Sequence, residues 1–168
     1  MNILPLPPLE LLQERYYISE DSPSGLRNKK QLGARALQNA VAGCKKTRGY
    51  WYVTIDGIKY LAHRIVYYLK TKNNPKNLFV DHRQSVNIDA IDVRLATPSD
   101  NSCNSKPRNG KEYKGVAQKS NGSWWGRITK NGKAYYTGTF ATLKEACDAY
   151  DEKARELHGE YAWLNLLQ

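Results

Sequence analysis

Three side chains in the middle of the sequence have the types that a divalent cation and a proton transfer require. Asp81 and His82 end an apolar run that predicts a strand, and Asn101 lies in the first turns of a predicted helix. A second predicted strand lies between them, and such an arrangement can bring a strand-end carboxylate and a helix amide together. Two hard oxygen ligands suit Mg²⁺, and the adjacent imidazole can take a proton from water. On the Asp-His pair alone, however, a simple strand-end turn is the commoner interpretation.

The elements that would position these residues follow from the pattern of the sequence. Residues 50–55 and 58–62 alternate around an Asp-Gly pair and predict a β-hairpin. An apolar stripe over 63–70 predicts a helix immediately after it. Thr97 and Pro98 predict the start of the later helix, with threonine as N-cap and proline at the first helical position.

The composition favours a polyanionic partner. The 168 residues include 26 basic and 16 acidic side chains, a net charge of +10. Nucleic acid is the expected partner, and a basic surface kept for solubility is the alternative. No apolar run is long enough for a membrane span, and the N-terminus lacks the features of a secretory signal. The three cysteines fit neither a disulfide framework nor a zinc site, so we expect a cytoplasmic protein.

The C-terminal third predicts a small sheet with one helix. Its alternating segments and its amphipathic segment are the strands 113–119, 124–130 and 134–140 and the helix 142–157. Asn-Gly pairs between the strands favour tight hairpin turns. The predicted organisation is an α+β protein with a first domain over 1–106, a linker over 107–112 and a second domain over 113–168.

The first domain resembles the HNH homing endonucleases of phages and mobile introns. The matching segments are Tyr60-Leu-Ala-His-Arg-Ile-Val66, Val80-Asp-His82 and Val93-Arg-Leu-Ala-Thr-Pro-Ser-Asp-Asn101. The resemblance implies a ββα-metal core over about 78–106. It also implies that Asp81 and Asn101 are ligands of Mg²⁺ or Mn²⁺, and that His82 is the general base. A bacterial host cytoplasm would follow from a phage origin.

The sequence departs from the family pattern at Asp92, where the family has asparagine. A carboxylate can still accept a hydrogen bond and orient His82, so Asp92 is retained as a catalytic candidate. It cannot donate as an amide does, and near the imidazole it would raise the pKa of His82. Asn87 could replace the family's asparagine by its chemistry, but its spacing in the sequence does not match the family pattern.

Basic side chains of the first domain are candidate phosphate contacts. Arg64 belongs to the matching segment, and its alternative is a solvated side chain at a helix start. Lys45, Lys46 and Arg48 precede the strand at Tyr50 and predict a phosphate-facing patch, with a solvated surface as the alternative.

The second domain resembles the plant APETALA or ethylene-response-factor type of DNA-binding domain. The matching segments are Tyr113–Val116, Trp124–Ile128, Gly138–Phe140, Glu145–Asp151 and Ala162–Asn165. In that family the sheet enters the major groove of double-stranded DNA, which admits a β-ribbon as well as a helix.

Strand alternation assigns the two faces of this sheet. Val116, Trp124, Ile128 and Phe140 are predicted to face the helix. Trp125, Arg127 and Lys119 are predicted to face away, together with Ala117, and to contact DNA. For Trp125, packing against the first domain is the alternative.

Together the two resemblances predict a metal-dependent DNA endonuclease that is directed to its site by the second domain. Because one catalytic centre is predicted and a DNA duplex has two strands, we expect a nicking enzyme that acts as a monomer on DNA. The alternative is a catalytically decayed, sequence-specific regulator, for which Asp92 is the best argument. RNA binding is a weaker third interpretation, because the sheet resembles a duplex-DNA module.

Overall fold

The structure, a computed structural model, describes residues 4–46, 49–83, 90–107 and 109–165. The chain divides into two compact units, Met1–Ala96 and Thr97–Gln168. Among the described residues, none of the helices has the length and apolar character needed to cross a membrane.

In its described residues, the first unit combines two helices with seven short strands. In chain order these are α1 (Leu9–Arg15), β1 (Tyr16–Ile18), β2 (Leu26–Asn28), β3 (Cys44–Lys45), β4 (Trp51–Ile55), β5 (Ile58–Leu61), α2 (Ala62–Thr71), β6 (Phe79–His82) and β7 (Val93–Ala96). The strands pair antiparallel as β1-β2, β3-β4-β5 and β6-β7. The predicted hairpin and the helix after it are therefore present as β4, β5 and α2.

Helix α2 is the centre of this unit. Seven of its ten residues are buried, and Ile65 and Val66 have no exposed surface. Tyr67 and Leu69 of the helix are also buried, and the core around it is formed by Leu6, Leu12, Tyr16, Leu26, Ala42, Val53, Ile55, Val80 and Val93. Because β6 packs on this helix, the strand that ends in Asp81 and His82 rests on the best-buried element of the unit.

The second unit contains a three-stranded antiparallel sheet and a long helix. Its elements are α3 (Pro98–Cys103), β8 (Val116–Gln118), β9 (Trp124–Lys130), β10 (Lys133–Phe140), α4 (Leu143–His158) and a short 3-10 helix over Gly159–Tyr161. The strand order is β10-β9-β8, and α4 packs on all three strands. The predicted sheet with one helix is confirmed, and mixed small sheets and helices in both units agree with the predicted α+β class.

Two helix starts carry reciprocal side-chain caps, of which the sequence predicts the N-cap at Thr97. The Thr97 hydroxyl accepts from the backbone N–H of Asp100, and the Asp100 carboxylate accepts from the backbone N–H of Thr97. Thr142 and Glu145 form the same reciprocal pair at the start of α4. Each pair satisfies two backbone donors that a helix end leaves without partners.

The end of the described chain is tied to the start of the sheet by Asn165. Its side chain accepts from the backbone N–H of Lys114 at 2.8 Å and donates to the Lys114 carbonyl at 3.1 Å. Its own backbone N–H donates to the buried carboxylate of Asp151 at 2.8 Å. The Asn165 amide thus makes the two hydrogen bonds to the Lys114 backbone that a neighbouring strand would otherwise make. These bonds fix the chain just before β8.

Helix α3 lies in the second compact unit, ahead of the predicted linker 107–112. The Lys114 ammonium donates to the carbonyls of Cys103 and Ser105 at 2.5 and 2.8 Å, which attaches the end of α3 to the segment before β8. The predicted first domain, 1–106, therefore differs from the first compact unit by this helix. The domain boundaries stay a prediction.

Candidate functional site

Asp81 and His82 are the last two residues of β6, as the sequence predicts. In the β6-β7 pair Asp81 lies opposite Arg94 and His82 opposite Val93. The Arg94 guanidinium contacts the Asp81 carboxylate, with 3.4 Å between Nη2 and Oδ2, and both side chains are largely buried. The contact with Arg94 therefore holds the Asp81 carboxylate in place, one residue before His82 on the strand.

The ring of His82 lies in a cluster of three rings. The centroids of the His63 and His82 rings are 4.8 Å apart in an edge-to-face arrangement. The Tyr50 ring is tilted against both, at 5.6 Å from His63 and 6.3 Å from His82. The two histidines are 6% and 8% exposed, so this is a packed cluster and not a surface group.

A small cleft opens at this cluster. It is lined by Pro23, Ser24, Gly49, Tyr50, Trp51, Ala62, His63, His82 and Ala90. Lys45 pairs with Trp51 across β3 and β4, and the backbone N–H of Lys46 donates to the Tyr50 carbonyl. Both lysine side chains are exposed. The backbones of Lys45 and Lys46 therefore pair with Trp51 and Tyr50, two residues that line the cleft. Arg48 of the same predicted patch lies outside the described residues.

His63 is held in its neutral form. Its pKa is lowered to about 3, chiefly by burial and also by the nearby His82 and Arg64, while the Val80 backbone acts in the opposite direction. Two imidazoles at this distance cannot both carry a proton cheaply. A neutral His63 therefore places no positive charge beside the His82 ring.

Acid is expected to destabilise the first unit through His63. Its folded pKa lies below its unfolded value of 6.5, so its contribution to stability is complete above that value and is lost as the pH falls. Between pH 7 and pH 5 the wild type should lose about 2 kcal/mol more than a His63→Phe variant. Hydrogen exchange of the α2 amides measures this difference. Parallel losses in the two proteins would show that His63 is protonated in the folded state.

Arg64 lies in the interior and not at the surface. It is 5% exposed, and its guanidinium donates to the carbonyls of Leu78 and Lys76 at 2.7 and 2.8 Å. The alternative of a solvated Arg64 is therefore wrong. These bonds attach the turn before β6 to α2, and the predicted phosphate contact of Arg64 stays a prediction.

Asp92 contacts the residue that follows His82. Its carboxylate lies 3.3 Å from Nε of Arg83, and its backbone carbonyl accepts from the Arg83 N–H at 3.0 Å. This pair closes the hairpin next to His82, and the predicted orientation of His82 by Asp92 stays a prediction. Asn87, the suggested surrogate, lies outside the described residues.

Asn101 lies in α3 of the second unit and is half-buried. Its backbone N–H donates to the Thr97 carbonyl at 3.0 Å, in the first turn of the helix. Its role as a ligand stays a prediction of the resemblance.

The donor chemistry at Asp81 fits a hard divalent cation. Mg²⁺ binds through one or two carboxylates and completes its shell with water and phosphate oxygens, and the Asp81 carboxylate supplies such an oxygen. Within the described parts of the chain, no three His, Cys, Asp or Glu side chains gather as a metal site. A cation here would therefore need oxygen ligands besides the Asp81 carboxylate, of the kind that water, phosphate and side-chain amides provide.

The sheet of the second unit has the two predicted faces. Val116 and Ile128 are buried against α4, and Trp124 and Phe140 pack on the same core. On the opposite face Arg127 is exposed. That face also carries Lys119, whose ammonium donates to the Thr139 hydroxyl at 2.8 Å.

Trp125 on this face packs against an aromatic residue that the sequence analysis missed. The rings of Trp125 and Tyr136 have centroids 6.0 Å apart, and Tyr136 is 68% exposed. Tyr136 lies directly opposite Arg127 in the β9-β10 pair. The alternation of β10, with Tyr135 towards the helix, was the signal that could have found it. An exposed aromatic pair beside a cation is suited to sugar and base contacts.

Comparisons with known proteins support both halves of the predicted combination. The chain is 33% identical over 113 residues to an uncharacterized HNH endonuclease of Acanthamoeba polyphaga mimivirus, an alignment that covers 66% of this chain and 59% of the viral protein. Its C-terminal part is 47% identical over 57 residues to dehydration-responsive element-binding protein 2E of Oryza sativa subsp. japonica. That alignment covers 33% of this chain and 18% of the rice protein.

A second plant relative gives the same result. Dehydration-responsive element-binding protein 2D of Arabidopsis thaliana is 46% identical over 56 residues, 32% of this chain and 27% of the plant protein. No family model and no solved structure matches the chain. The predicted resemblance to an HNH endonuclease joined to an APETALA-type DNA-binding segment is thus confirmed. The chain spans about three fifths of the length of its viral relative.

Proposed function

We propose that the protein is a metal-dependent DNA endonuclease of the homing type that nicks double-stranded DNA at sites chosen by its second unit. The observation that carries the proposal is the placement of His82. Its imidazole lies at the end of β6 directly after Asp81 in the sequence, borders the small cleft and packs on a neutral histidine. The similarity to the viral HNH endonuclease supports the same reaction class.

The proposed reaction is hydrolysis of one phosphodiester. His82 takes a proton from water, the water oxygen attacks phosphorus, and the bond to the 3′-oxygen breaks. The products are a 5′-phosphate and a 3′-hydroxyl, whose proton comes from solvent. Lys45 and Lys46, both exposed beside the cleft-lining strand, bind backbone phosphates and orient the strand. Arg94 holds the Asp81 carboxylate in place through their contact.

A divalent cation is part of the proposal. Asp81 would hold Mg²⁺ or Mn²⁺, and a bound cation supplies stabilisation of the negative charge that develops on the phosphate. Asn101 is the second ligand that the resemblance assigns, and an Asn101→Ala variant tests it by metal binding and nicking.

The second unit would act as the DNA reader, and the protein would work as a monomer on DNA. Its sheet face presents Arg127, Lys119 and the pair of Trp125 and Tyr136. An arginine can bind both acceptors of guanine in the major groove, while the aromatic rings contact sugars and thymine methyl groups. The DNA-binding names of the plant relatives support this part.

The test uses supercoiled plasmids that carry sequences selected by the protein from a random pool. With Mg²⁺ or Mn²⁺ the expected product is the nicked circle, and EDTA should abolish its formation while binding to the selected sequence remains. A single nick per plasmid supports the nicking mode, whereas linear products would show cleavage of both strands.

The alternative function is a DNA-binding regulator that has lost catalysis. Asp92 favours it, because this residue stands in place of the family's asparagine and lies within ion-pair distance of Arg83. Such a protein would bind the selected plasmid tightly and leave it supercoiled in every metal tested.

Replacement of Arg127 by alanine is expected to relax sequence preference. Loss of one bidentate base contact should reduce discrimination at a single base position by about 1–3 kcal/mol. The measurement is a binding profile over a randomised site. Arg155→Ala is the matched control, because it removes the same charge from an exposed position on α4. If both variants weaken all sequences equally, Arg127 contacts only phosphate.

A further inference from the structure

His63 connects α2 to the strand that carries the proposed general base. It is the second residue of α2, directly after β5. The backbone of Val80, two residues before His82 on β6, is close enough to the His63 imidazole to raise its pKa. This approach and the ring contact with His82 at 4.8 Å place His63 against the same short stretch of strand.

The contact restricts how the His82 ring can turn. An imidazole can rotate about its terminal torsion over a broad range, and a general base must keep one orientation towards the proton that it removes. His63 meets the His82 ring edge-to-face, and Tyr50 is tilted against it. Since both histidines are almost fully buried, rotation of His82 would require one of these rings to move.

We propose that His63 is a positioning residue that holds the imidazole of His82 in its working orientation through ring-on-ring packing. The catalytic importance of His63 rests on the proposed endonuclease function, whereas its effect on the orientation of the His82 ring does not. His63 does not take a proton in this scheme, because its buried environment keeps it neutral.

The competing explanation is that His63 serves only the core of the first unit. Both explanations expect its loss to lower stability. The two explanations differ in the part of the side chain that they require. Positioning requires a ring against His82, whereas attachment of α2 to β6 requires a polar group that faces the Val80 backbone. The variants His63→Phe and His63→Gln separate the two, since phenylalanine keeps a ring and glutamine keeps a donor.

The first measurement is nitrogen NMR of the full protein with labelled histidine and no metal. The chain has three histidines, so single variants assign each pair of ring signals. At about pH 8, where exposed imidazoles are neutral, His82 should show one predominant tautomer in the wild type. In His63→Phe, His82 should keep this predominant tautomer. In His63→Gln, the ring nitrogen shifts of His82 should move towards the average of the two tautomers. His158→Gln, which removes the histidine of α4, should leave the His82 signals unchanged.

The second measurement is nicking of the selected plasmid, compared at equal folded fraction by circular dichroism. His63→Gln should lower kcat by about 10- to 100-fold with KM unchanged, because misplacement of a catalytic group costs this much. His63→Phe should recover most of this loss. His158→Gln should match the wild type.

Unchanged His82 signals in His63→Gln, or a larger disturbance in His63→Phe than in His63→Gln, would overturn the proposal. If the wild type does not nick any plasmid, the endonuclease function fails, and the NMR result still decides whether His63 positions His82. If the wild type nicks and both variants keep its kcat, the positioning role fails and the endonuclease function stands.

Discussion

Replacing His82 with alanine is expected to reduce plasmid nicking by about 10²- to 10⁴-fold, the range that a positioned general base contributes. DNA binding should persist, because the sheet face with Trp125, Arg127 and Lys119 belongs to the second unit. The measurement is the initial rate of nicked-circle formation at saturating Mg²⁺, together with the dissociation constant for the selected site.

Two controls isolate the chemistry of the imidazole. His82 is buried in a ring cluster, so alanine leaves a cavity, and His82→Asn provides a second variant with more of the volume retained. Both variants should lose activity while α2 keeps its hydrogen-exchange protection. His158→Ala removes a histidine from the second unit and should leave the rate unchanged. Nicking by His82→Ala at the wild-type rate would eliminate the endonuclease mechanism.

The second unit was largely predictable because its signals are local. The Asn-Gly turns and the alternation of β9 and β10 each act within a few residues. The structure shortens only the first strand, to Val116–Gln118, since the chain before it is held by the side chain of Asn165 and not by a neighbouring strand. A bond over 51 residues of separation leaves no local pattern.

The first unit was less predictable because its short strands pair without a pattern. Strands β1, β2 and β3 have three, three and two residues, too few for alternation to show. The helix and hairpin next to them were predicted, since they carry an apolar stripe and an Asp-Gly turn. The long elements of this unit could therefore be predicted from sequence periodicity. Its short strands could not, because they form only through tertiary contacts.

The candidate site shows the same division. The Asp81-His82 pair was found from its position at a strand end and from the family resemblance. The neighbour of His82 was not found, because His63 is 19 positions away and reaches it only through the packing of α2 on β6. Arg64 was expected at the surface for the same reason, since its carbonyl acceptors at Lys76 and Leu78 exist only in the folded chain.

Substitution of Gly115 by alanine is expected to destabilise the second unit by about 2–5 kcal/mol. This glycine has φ +67°, a left-handed backbone that costs an alanine about 1–2 kcal/mol. A Cβ here would lie 2.3 Å from the Tyr150 ring and 2.4 Å from the Arg127 carbonyl. Tyr150 is buried, and the Gly115 carbonyl accepts from the Arg127 N–H at 2.7 Å. Relief of the clash must therefore move either the helix or the strand, which adds about 1–3 kcal/mol.

Gly132 provides a control with the same backbone and open space. Its φ is +78°, and a Cβ there would meet nothing within 4 Å, so Gly132→Ala should cost only the left-handed term of about 1–2 kcal/mol. Hydrogen exchange of the α4 amides reports both losses, and exchange of the α2 amides should not change. Because Arg127 is displaced only in Gly115→Ala, that variant alone should also lose affinity for the selected DNA. Equal losses in the two variants would mean that Gly115 is required for its backbone angle and not for the approach of Tyr150.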